Sequence, residues 1–325
     1  MKNRLFALCA ALLCACGTVA VRVPVMRPAE VNMAPYQTVA IGEMNGPGSR
    51  VMTETLEEAL LGSNRFTVVD REHIASVMRE LRLSSSDLAE PGSAAKLGKV
   101  VTAGALIFGD VYTSYREEPD ENRYKDEKGA PHTQYLIKGE AYARATFKIV
   151  DVSTGRLIVA KTYEEKRDDL NRTVDRRPQP IDRIGLESAT RRAVVDRFMK
   201  AIVPHQEFMF ANFQKDSDIP QLETGIGWAE RGDWKKAQDT FSTAAQEAET
   251  KKLKSGQISK CYWNLGLSYE YAGDYDRAET MVSKAYALSN EKNMLGEIDN
   301  IHRLQADAKR LAEQATPAPE AIGAK

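Results

Sequence analysis

Three cysteines stand close together near the N-terminus of the sequence, at Cys9, Cys14 and Cys16. Thiolates at this spacing suit metal binding, disulfide formation or covalent attachment of a lipid. A metal site needs ligands held by a folded scaffold, whereas these cysteines lie in an apolar run that follows Lys2 and Arg4. A positive start and an apolar run ending in small residues are typical of a secretory signal peptide. Residues 1–15 are therefore predicted to be a lipoprotein signal peptide, and no bound metal is expected.

Cys16 is the candidate lipid attachment site. The sequence Leu-Cys-Ala-Cys at 13–16 resembles the lipobox of bacterial lipoproteins, in which the last cysteine is acylated and becomes the new N-terminus. The resemblance implies a lipid anchor at the periplasmic face of the outer membrane, since Gly17 and not aspartate follows Cys16. A plain signal peptide that is cut nearby is the alternative.

Composition limits the remaining possibilities. Only Cys261 would accompany Cys16 in the mature chain, so no intramolecular disulfide is expected and stability must come from packing. The length suffices for two domains of ordinary size. The sequence has 45 Lys and Arg residues and 46 Asp and Glu residues, so it lacks the excess of positive charge that attracts nucleic acid. Nucleic acid is therefore not an expected partner.

The segment 16–35 contains Pro24, Pro28 and Pro35 and has little helical periodicity, so it is predicted to be an extended tether. Strands and helices then alternate. Strands are predicted at 38–44, 65–70 and 105–115, with a helix over 51–61 and further helices between 71 and 103. Ser49 is a candidate N-cap of the first helix.

Strict alternation of apolar and polar residues predicts a long strand over 135–149, a turn at 153–155 and a returning strand. A charged loop is predicted from Lys166 to Pro180, and a helix over 181–202 carries Ile184 and Phe198 to cover the sheet. The acidic run 117–121 could hold calcium, but Arg123 and Lys125 dilute it and favour a solvated loop. Together these elements predict an α/β (α+β) domain with a mixed sheet and covering helices over 36–205.

The C-terminal third, 206–314, is predicted to be all-helical. Two stretches align at a constant offset that exceeds the usual ~34-residue period. The aligned pairs are Gly225 with Gly266, Trp228 with Tyr269, Gly232 with Gly273, Asp233 with Asp274, Trp234 with Tyr275, Ala237 with Ala278, Phe241 with Val282, and Ala244 with Ala285. This pattern resembles the tetratricopeptide repeat (TPR). A helix at 296–314 and the segment around Phe208, Phe210 and Phe213 are candidates to cover the two ends of the stack, and 315–325 is predicted to be a disordered tail.

The blocks TVAIGEM, VDREHI and VDVSTGRL, with their neighbours between 36 and 204, resemble the CsgG family of outer-membrane lipoproteins. The resemblance implies a periplasmic α/β domain beneath a lipid anchor. In the curli secretion member, it also implies a ring of subunits that forms a peptide-conducting pore. Here the connection 45–49 is short and lacks an aromatic residue, and the candidate membrane hairpins carry charges on both faces. These departures favour an adaptor over a channel.

No nucleophile elbow, zinc motif or phosphate-binding loop occurs in the sequence. Its histidines, His73, His132, His205 and His302, lack a paired ligand spacing. An enzyme is therefore not expected, and no cofactor or metal is predicted.

Two functions remain open. One is an outer-membrane-anchored, non-enzymatic scaffold in envelope assembly or secretion, which binds a periplasmic or secreted protein through its repeats. The other is a ring-forming channel of the CsgG type for peptide or protein secretion, which requires a homo-oligomer. Asn264, Tyr271 and Arg277 are the candidate partner-binding residues, because the core pattern of the repeats does not need them.

Overall fold

The structure is a computed structural model, which describes residues 17–69 and 104–315. These residues divide into two compact units. The helical unit contains residues 17–28 and 205–312, and the α/β unit contains the described residues of 29–204 together with 313–315. Cys16, the predicted helices between 71 and 103 with the block VDREHI, and residues 316–325 lie outside the described residues.

Within the described residues, the strands are β1 Thr18–Arg27, β2 Thr38–Asn45, β3 Thr67–Val69, β4 Ala105–Lys125, β5 Pro131–Asp151, β6 Leu157–Val174 and β7 His205–Gln214. The helices are α1 Ser49–Gly62, α2 Arg183–Ile202, α3 Gln221–Glu230, α4 Trp234–Thr250, α5 Ser255–Glu270, α6 Tyr275–Ser289 and α7 Asn293–Ala315. An α/β region with a sheet, followed by several helices, is the predicted fold class and is confirmed.

The α/β unit contains a mixed sheet in the order β3-β2-β4-β5-β6. β2 is parallel to both β3 and β4, while β4, β5 and β6 are antiparallel neighbours. On β5 the alternating residues Ala141 to Ile149 are buried, as the period-two pattern predicts. Phe147 of this face stacks on Phe198 of α2, with ring centroids 4.2 Å apart. Ile184, by contrast, was predicted to cover the sheet and is 78% exposed.

α1 buries the stripe Met52, Leu56 and Leu60, as predicted. Ser49 is the first residue of the helix and not its cap. The N-cap is Gly48, whose φ of 85° is left-handed. A Cβ at Gly48 would lie 2.2 Å from Oγ1 of Thr113. Both the left-handed backbone and the lack of space for a side chain therefore favour glycine at this position.

β4, β5 and β6 are much longer than their apolar patterns. The acidic run 117–121 was predicted to be a loop, but β4 continues through it and pairs with β5 up to Lys125 opposite Pro131. β6 likewise continues to Val174, through most of the predicted charged loop. The parts of β4 and β6 beyond the apolar patterns are exposed on both faces of the sheet, so their sequences show no alternation of apolar and polar residues. Main-chain pairing and a turn in which Asp126 Oδ1 accepts hydrogen bonds from Lys128 N (2.9 Å) and Ala130 N (2.7 Å) define them instead.

The predicted tether at 16–35 is incorrect over 18–27, which form β1. β1 pairs antiparallel with β7 along its whole length, from Thr18 opposite Gln214 to Arg27 opposite His205. Val21 and Val23 point into the core of the helical unit, while Arg22 and Pro24 are exposed. Pro24 is compatible with this position because β1 is an edge strand.

Two helix pairs, α3–α4 and α5–α6, make equivalent contacts at the aligned positions. Asp233 and Asp274 cap α4 and α6, accepting hydrogen bonds from Lys236 N (3.1 Å) and Arg277 N (3.3 Å). Preceding each cap is a glycine with positive φ. The four aligned alanines are fully buried; they are Ala237, Ala244, Ala278 and Ala285.

At Gly225 and Gly266 the packing of the paired helices leaves no room for a side chain. A Cβ at Gly225 would lie 2.3 Å from Cε1 of Phe241, and one at Gly266 would lie 2.6 Å from Cγ2 of Val282. Such distances require the partner side chain or the helix to move.

We expect Gly225→Ala to lower the free energy of unfolding of the helical unit by about 1–3 kcal/mol, because α3 must move away from Phe241. The matched control is Gly227→Ala in the same helix, where a Cβ would meet nothing within 4 Å. The control should be neutral or stabilising by up to about 1 kcal/mol. Urea titration followed by tryptophan fluorescence measures both, since all three tryptophans lie in this unit. Equal effects of the two substitutions would contradict the packing argument.

Candidate binding surface

Asn264 lies inside the helical unit and is fully buried. Its Nδ2 donates to the carbonyl of Gln214 and its Oδ1 accepts from the amide of Gln214, each at 2.8 Å. The neighbouring Trp263 donates from Nε1 to the carbonyl of Asn212, also at 2.8 Å. Both side chains of α5 therefore satisfy main-chain groups of β7. Asn264, one of the three candidate partner-binding residues, is therefore an interior residue whose polar groups are used within the fold.

Tyr271 is half-buried at the end of α5. Its ring stacks on Trp234 with centroids 5.9 Å apart, so it joins the first helix pair to the second. Burial, and then the nearby carboxyl groups of Glu270 and Glu297, raise the pKa of the Tyr271 hydroxyl. Tyr271 therefore remains protonated and packs as part of the core.

Arg277 is exposed at the start of α6. Its guanidinium carbon lies 5.6 Å from the ring centroid of Tyr269. At the aligned position of the first pair, the Lys236 amine lies 4.4 Å from the ring centroid of Trp228. Both helix pairs thus place a cation over the aromatic ring of the preceding helix.

We call the group formed by the half-buried rings of Trp228 and Tyr269 and the exposed cations Lys235, Lys236 and Arg277 the cation–aromatic surface. Lys235 precedes Lys236 on α4, and a hydrogen bond to Asp239 raises the pKa of its amine.

Each cation of this surface also has one carboxylate partner. The ion pairs are Lys235–Asp239 at 2.7 Å, Lys236–Asp233 at 2.8 Å and Arg277–Asp274 at 3.5 Å. Arg231 adds a fourth positive charge, 5.8 Å from the Trp228 ring centroid. Exposed pairs of this kind contribute little to stability, so their charges remain available to a ligand.

The sequence singled out Arg277, whereas Trp228 was named only as a repeat position aligned with Tyr269. Trp228 does pack against the core, yet its ring is only half-buried and carries Lys236 on one face. The repeat alignment could have identified Trp228 as part of the surface, because it pairs Lys236 with Arg277 just as it pairs Trp228 with Tyr269.

Glu270 is the buried acidic side chain at the end of α5. Its Oε1 accepts a hydrogen bond of 2.6 Å from Nδ2 of Asn300, while its buried Oε2 has no hydrogen-bond partner among the described residues. Burial, and next the charge of Glu297, raise the pKa of Glu270 to about 9. The carboxyl group is therefore neutral at pH 7.

The described histidines pair with carboxylates. His132 Nδ1 lies 2.6 Å from Oδ2 of Asp175, which is the main cause of its raised pKa, while His205 contacts Glu207 and His302 contacts Glu279. His73 lies outside the described residues. In the part of the chain that the structure describes, no group of three or more His, Cys, Asp or Glu is arranged to hold a metal ion. Over the same residues, no helix combines the length and apolar character needed to cross a membrane.

The described residues thus form a mixed α/β unit and a helical unit that carries an exposed cation–aromatic surface. The sequence model of the family described as curli production assembly/transport component CsgG matches residues 19–224. Because this match covers more than half of the chain, the chain belongs to the CsgG family. The matched region includes β1, β7 and the first residues of α3, so it extends beyond the 36–204 where the sequence blocks lie.

Three solved structures are similar to this chain at low identity. Lipoprotein GNA1162 from Neisseria meningitidis is 11% identical, with coverage of 50% of this chain and 96% of that chain and a TM-score of 0.27. The LpoB C-terminal domain from Salmonella enterica is 17% identical, covering 42% and 83% with a TM-score of 0.23. A minor lipoprotein from Acinetobacter baumannii is 12% identical, covering 50% and 86% with a TM-score of 0.21. Similarity at this level carries no argument about function, and no curated protein matches the sequence.

We expect the free energy of unfolding of the helical unit to fall as pH rises from about 4.5 to about 9, because the folded unit holds the Glu270 proton more tightly than the unfolded chain. This stability is complete below the unfolded pKa and is lost progressively towards the folded pKa, with a slope of up to about 1.4 kcal/mol per pH unit. Glu270→Gln keeps the shape of the neutral carboxyl and should flatten the slope. Urea titrations at pH 6 to 9 measure it.

The matched control is Glu249→Gln. Hydrogen bonds from Tyr262 and Lys284 lower the pKa of Glu249, so that group is ionised throughout the range and its removal should leave the slope unchanged. An unchanged slope in Glu270→Gln would show that Glu270 is not the titrating group.

Proposed function

We propose that this protein is a lipid-anchored envelope protein that acts as a non-enzymatic scaffold in envelope assembly or secretion. In this proposal, Cys16 carries the lipid at the periplasmic face of the outer membrane, and the helical unit binds a periplasmic or secreted protein. Membership of the CsgG family and the signal-like sequence before Cys16 support the anchoring.

The observation that carries the binding role is the duplicated cation–aromatic surface. Trp228 with Lys236 and Tyr269 with Arg277 repeat one arrangement on two successive helix pairs. Together with the equivalent caps, glycines and alanines, this duplication supports a TPR-like repeat. Two similar sites side by side suit an extended peptide that carries carboxylates next to apolar side chains. Arg277 remains a proposed partner-binding residue, whereas Tyr271 positions Trp234 behind the surface.

A transport role is the second candidate, because the family description names both assembly and transport. A channel would need a closed ring of copies and strands inserted in the membrane. The outer halves of β4 and β6 are instead charged and exposed on both faces, which supports the scaffold. Light scattering and planar-bilayer conductance on the acylated protein separate the two: a large ring with discrete conductance would favour transport.

We expect Cys16→Ser to abolish incorporation of labelled palmitate and to leave the signal peptide unprocessed, because the acylated side chain is missing. Mass spectrometry of the mature N-terminus reports both events. Cys14→Ser is the matched control, since Cys14 would leave with the signal peptide and its loss should not prevent acylation. Acylation in the Cys16→Ser variant would refute the assigned attachment site.

Photo-crosslinking tests the binding surface directly. A photoreactive amino acid replaces Tyr269, and the crosslinked proteins from intact cells are identified by mass spectrometry. We expect a specific adduct whose yield falls at least about tenfold with Lys236→Glu and Arg277→Glu, because reversing the two charges repels the carboxylates of the ligand. Lys292→Glu with Lys309→Glu, which reverses two exposed charges elsewhere in the helical unit, is the control for net charge. An adduct that persists unchanged in the double variant would show that the partner binds elsewhere.

A further inference from the structure

The β1–β7 pair has one face buried in the helical unit and one face exposed. Val21 and Val23 of β1 and Ala211 and Phe213 of β7 are buried. We call the opposite side the outer face. Its exposed residues are Thr18, Ala20, Arg22, Pro24 and Met26 of β1 and Gln206, Phe208, Phe210 and Asn212 of β7.

The outer face has polar residues towards its ends and an apolar group in its middle, where a solvent-exposed strand is normally polar. Phe208 is 49% exposed and Phe210 is 64% exposed, and Met26 is 49% exposed on the neighbouring strand. The guanidinium carbon of Arg22 lies 3.5 Å from the ring centroid of Phe208. Exposed aromatic rings beside a cation are the composition found at the boundary between lipid headgroups and acyl chains.

Chain length places this face close to any lipid on Cys16. Only Gly17 separates Cys16 from the first residue of β1, so the strand begins within about 7 Å of the attachment residue. Arg22 is opposite Phe210 in the register. With a rise of about 3.3 Å per residue, this pair lies at most about 20 Å from Cys16 along the chain.

We propose that the outer face of β1–β7 rests on the phospholipid surface of the membrane, with Phe208 and Phe210 in the headgroup–acyl boundary and Arg22 at a lipid phosphate. The orientation of the helical unit on the membrane depends on the acylation of Cys16, which is part of the proposed function. The lipid and the outer face then form two contacts of one membrane attachment.

A bilayer suits this face better than a folded protein partner does. A stable protein interface buries roughly 800 Å² on each side with matched shapes, whereas the apolar part of the outer face consists of a few side chains. A bilayer surface needs no shape complementarity. The lipid on Cys16 would hold the face at high effective concentration, so even a weak affinity for the surface keeps it bound.

The first test uses the acylated full-length chain in vesicles of phosphatidylethanolamine with about 30% phosphatidylglycerol. Phe210→Cys is labelled with the environment-sensitive fluorophore NBD. Cys261 is buried with a thiol pKa raised to about 12, so it does not compete for the label. The matched control is Leu295→Cys on α7, an apolar side chain of the same unit that is 43% exposed. We expect nitroxide-labelled lipid to quench NBD at 210 and not at 295, and equal quenching at the two positions overturns the proposal.

The second test separates the outer face from the anchor. In the mature chain, expressed without residues 1–15 and carrying Cys16→Ser, Phe208→Ser with Phe210→Ser should reduce vesicle partitioning about tenfold or more, while Leu295→Ser leaves it unchanged. Arg22→Gln should weaken binding to the anionic vesicles more than binding to pure phosphatidylcholine, whose phosphate charge is balanced by choline. Unchanged partitioning of the double serine variant overturns the proposal. If Cys16 carries no acyl chain, the proposed anchoring fails. The partitioning experiment then still tests whether the outer face by itself binds a membrane.

A second copy of the chain is the competing occupant. Sedimentation of the mature Cys16→Ser chain, expressed without residues 1–15 and studied without lipid, identifies it: a dimer that the double serine substitution converts to monomer overturns the membrane assignment, and a monomer throughout supports it.

Discussion

The pairing of β1 with β7 is the constraint on which the helical unit depends. It supplies Val21, Val23 and Phe213 to the core, and it presents the main-chain groups that Trp263 and Asn264 satisfy. The two strands are far apart in sequence, and closing such a loop costs conformational entropy. The intervening α/β unit has its own core, and folding that core shortens the flexible loop between the strands. The long-range pairing is therefore less costly than the sequence separation suggests.

α5 shows how the helical unit accommodates polar groups in its interior. The helix is buried along most of its length, so each polar side chain must find a partner within the fold. Asn264 bonds to the main chain of Gln214, and Ser259 donates to the carbonyl of Ala285 at 2.7 Å. Glu270 keeps one oxygen without a partner and is neutral instead of charged. Because α5 is committed in this way to the interior, the proposed recognition falls to the helix ends, where the cation–aromatic surface lies.

Sequence periodicity predicted the elements in which burial alternates. The predictions of a buried face on β5 and of an apolar stripe on α1 were both correct, because one side of each element packs against a core and the other is in contact with water. The outer parts of β4 and β6 were missed because both faces are exposed, and pairing without burial leaves no apolar period. β1 was missed for a different reason. Its alternating valines predict a strand, but three nearby prolines outweighed them in the interpretation.

Individual site residues were less predictable than elements. Asn264 has the character of a surface residue on a helix, and only the position of the Gln214 main chain, which the sequence cannot supply, makes it an interior residue. Arg277 was identified because the core pattern did not explain it. Its aromatic partner Tyr269 was not identified, since a half-buried ring fits the core and the surface equally well. The distinction requires the position of the cation over the ring.

The strand β1 also changes the reach of the proposed anchor. A free tether over 16–35 would let the protein extend tens of ångströms from the bilayer, at about 3.3 Å per residue. With β1 paired from Thr18, only Gly17 separates Cys16 from the folded helical unit. The cation–aromatic surface belongs to that same unit, which at this chain length has a radius of gyration of roughly 14 Å. A lipid on Cys16 would therefore confine the binding surface to the zone next to the membrane, and its partner would have to present its acidic peptide there.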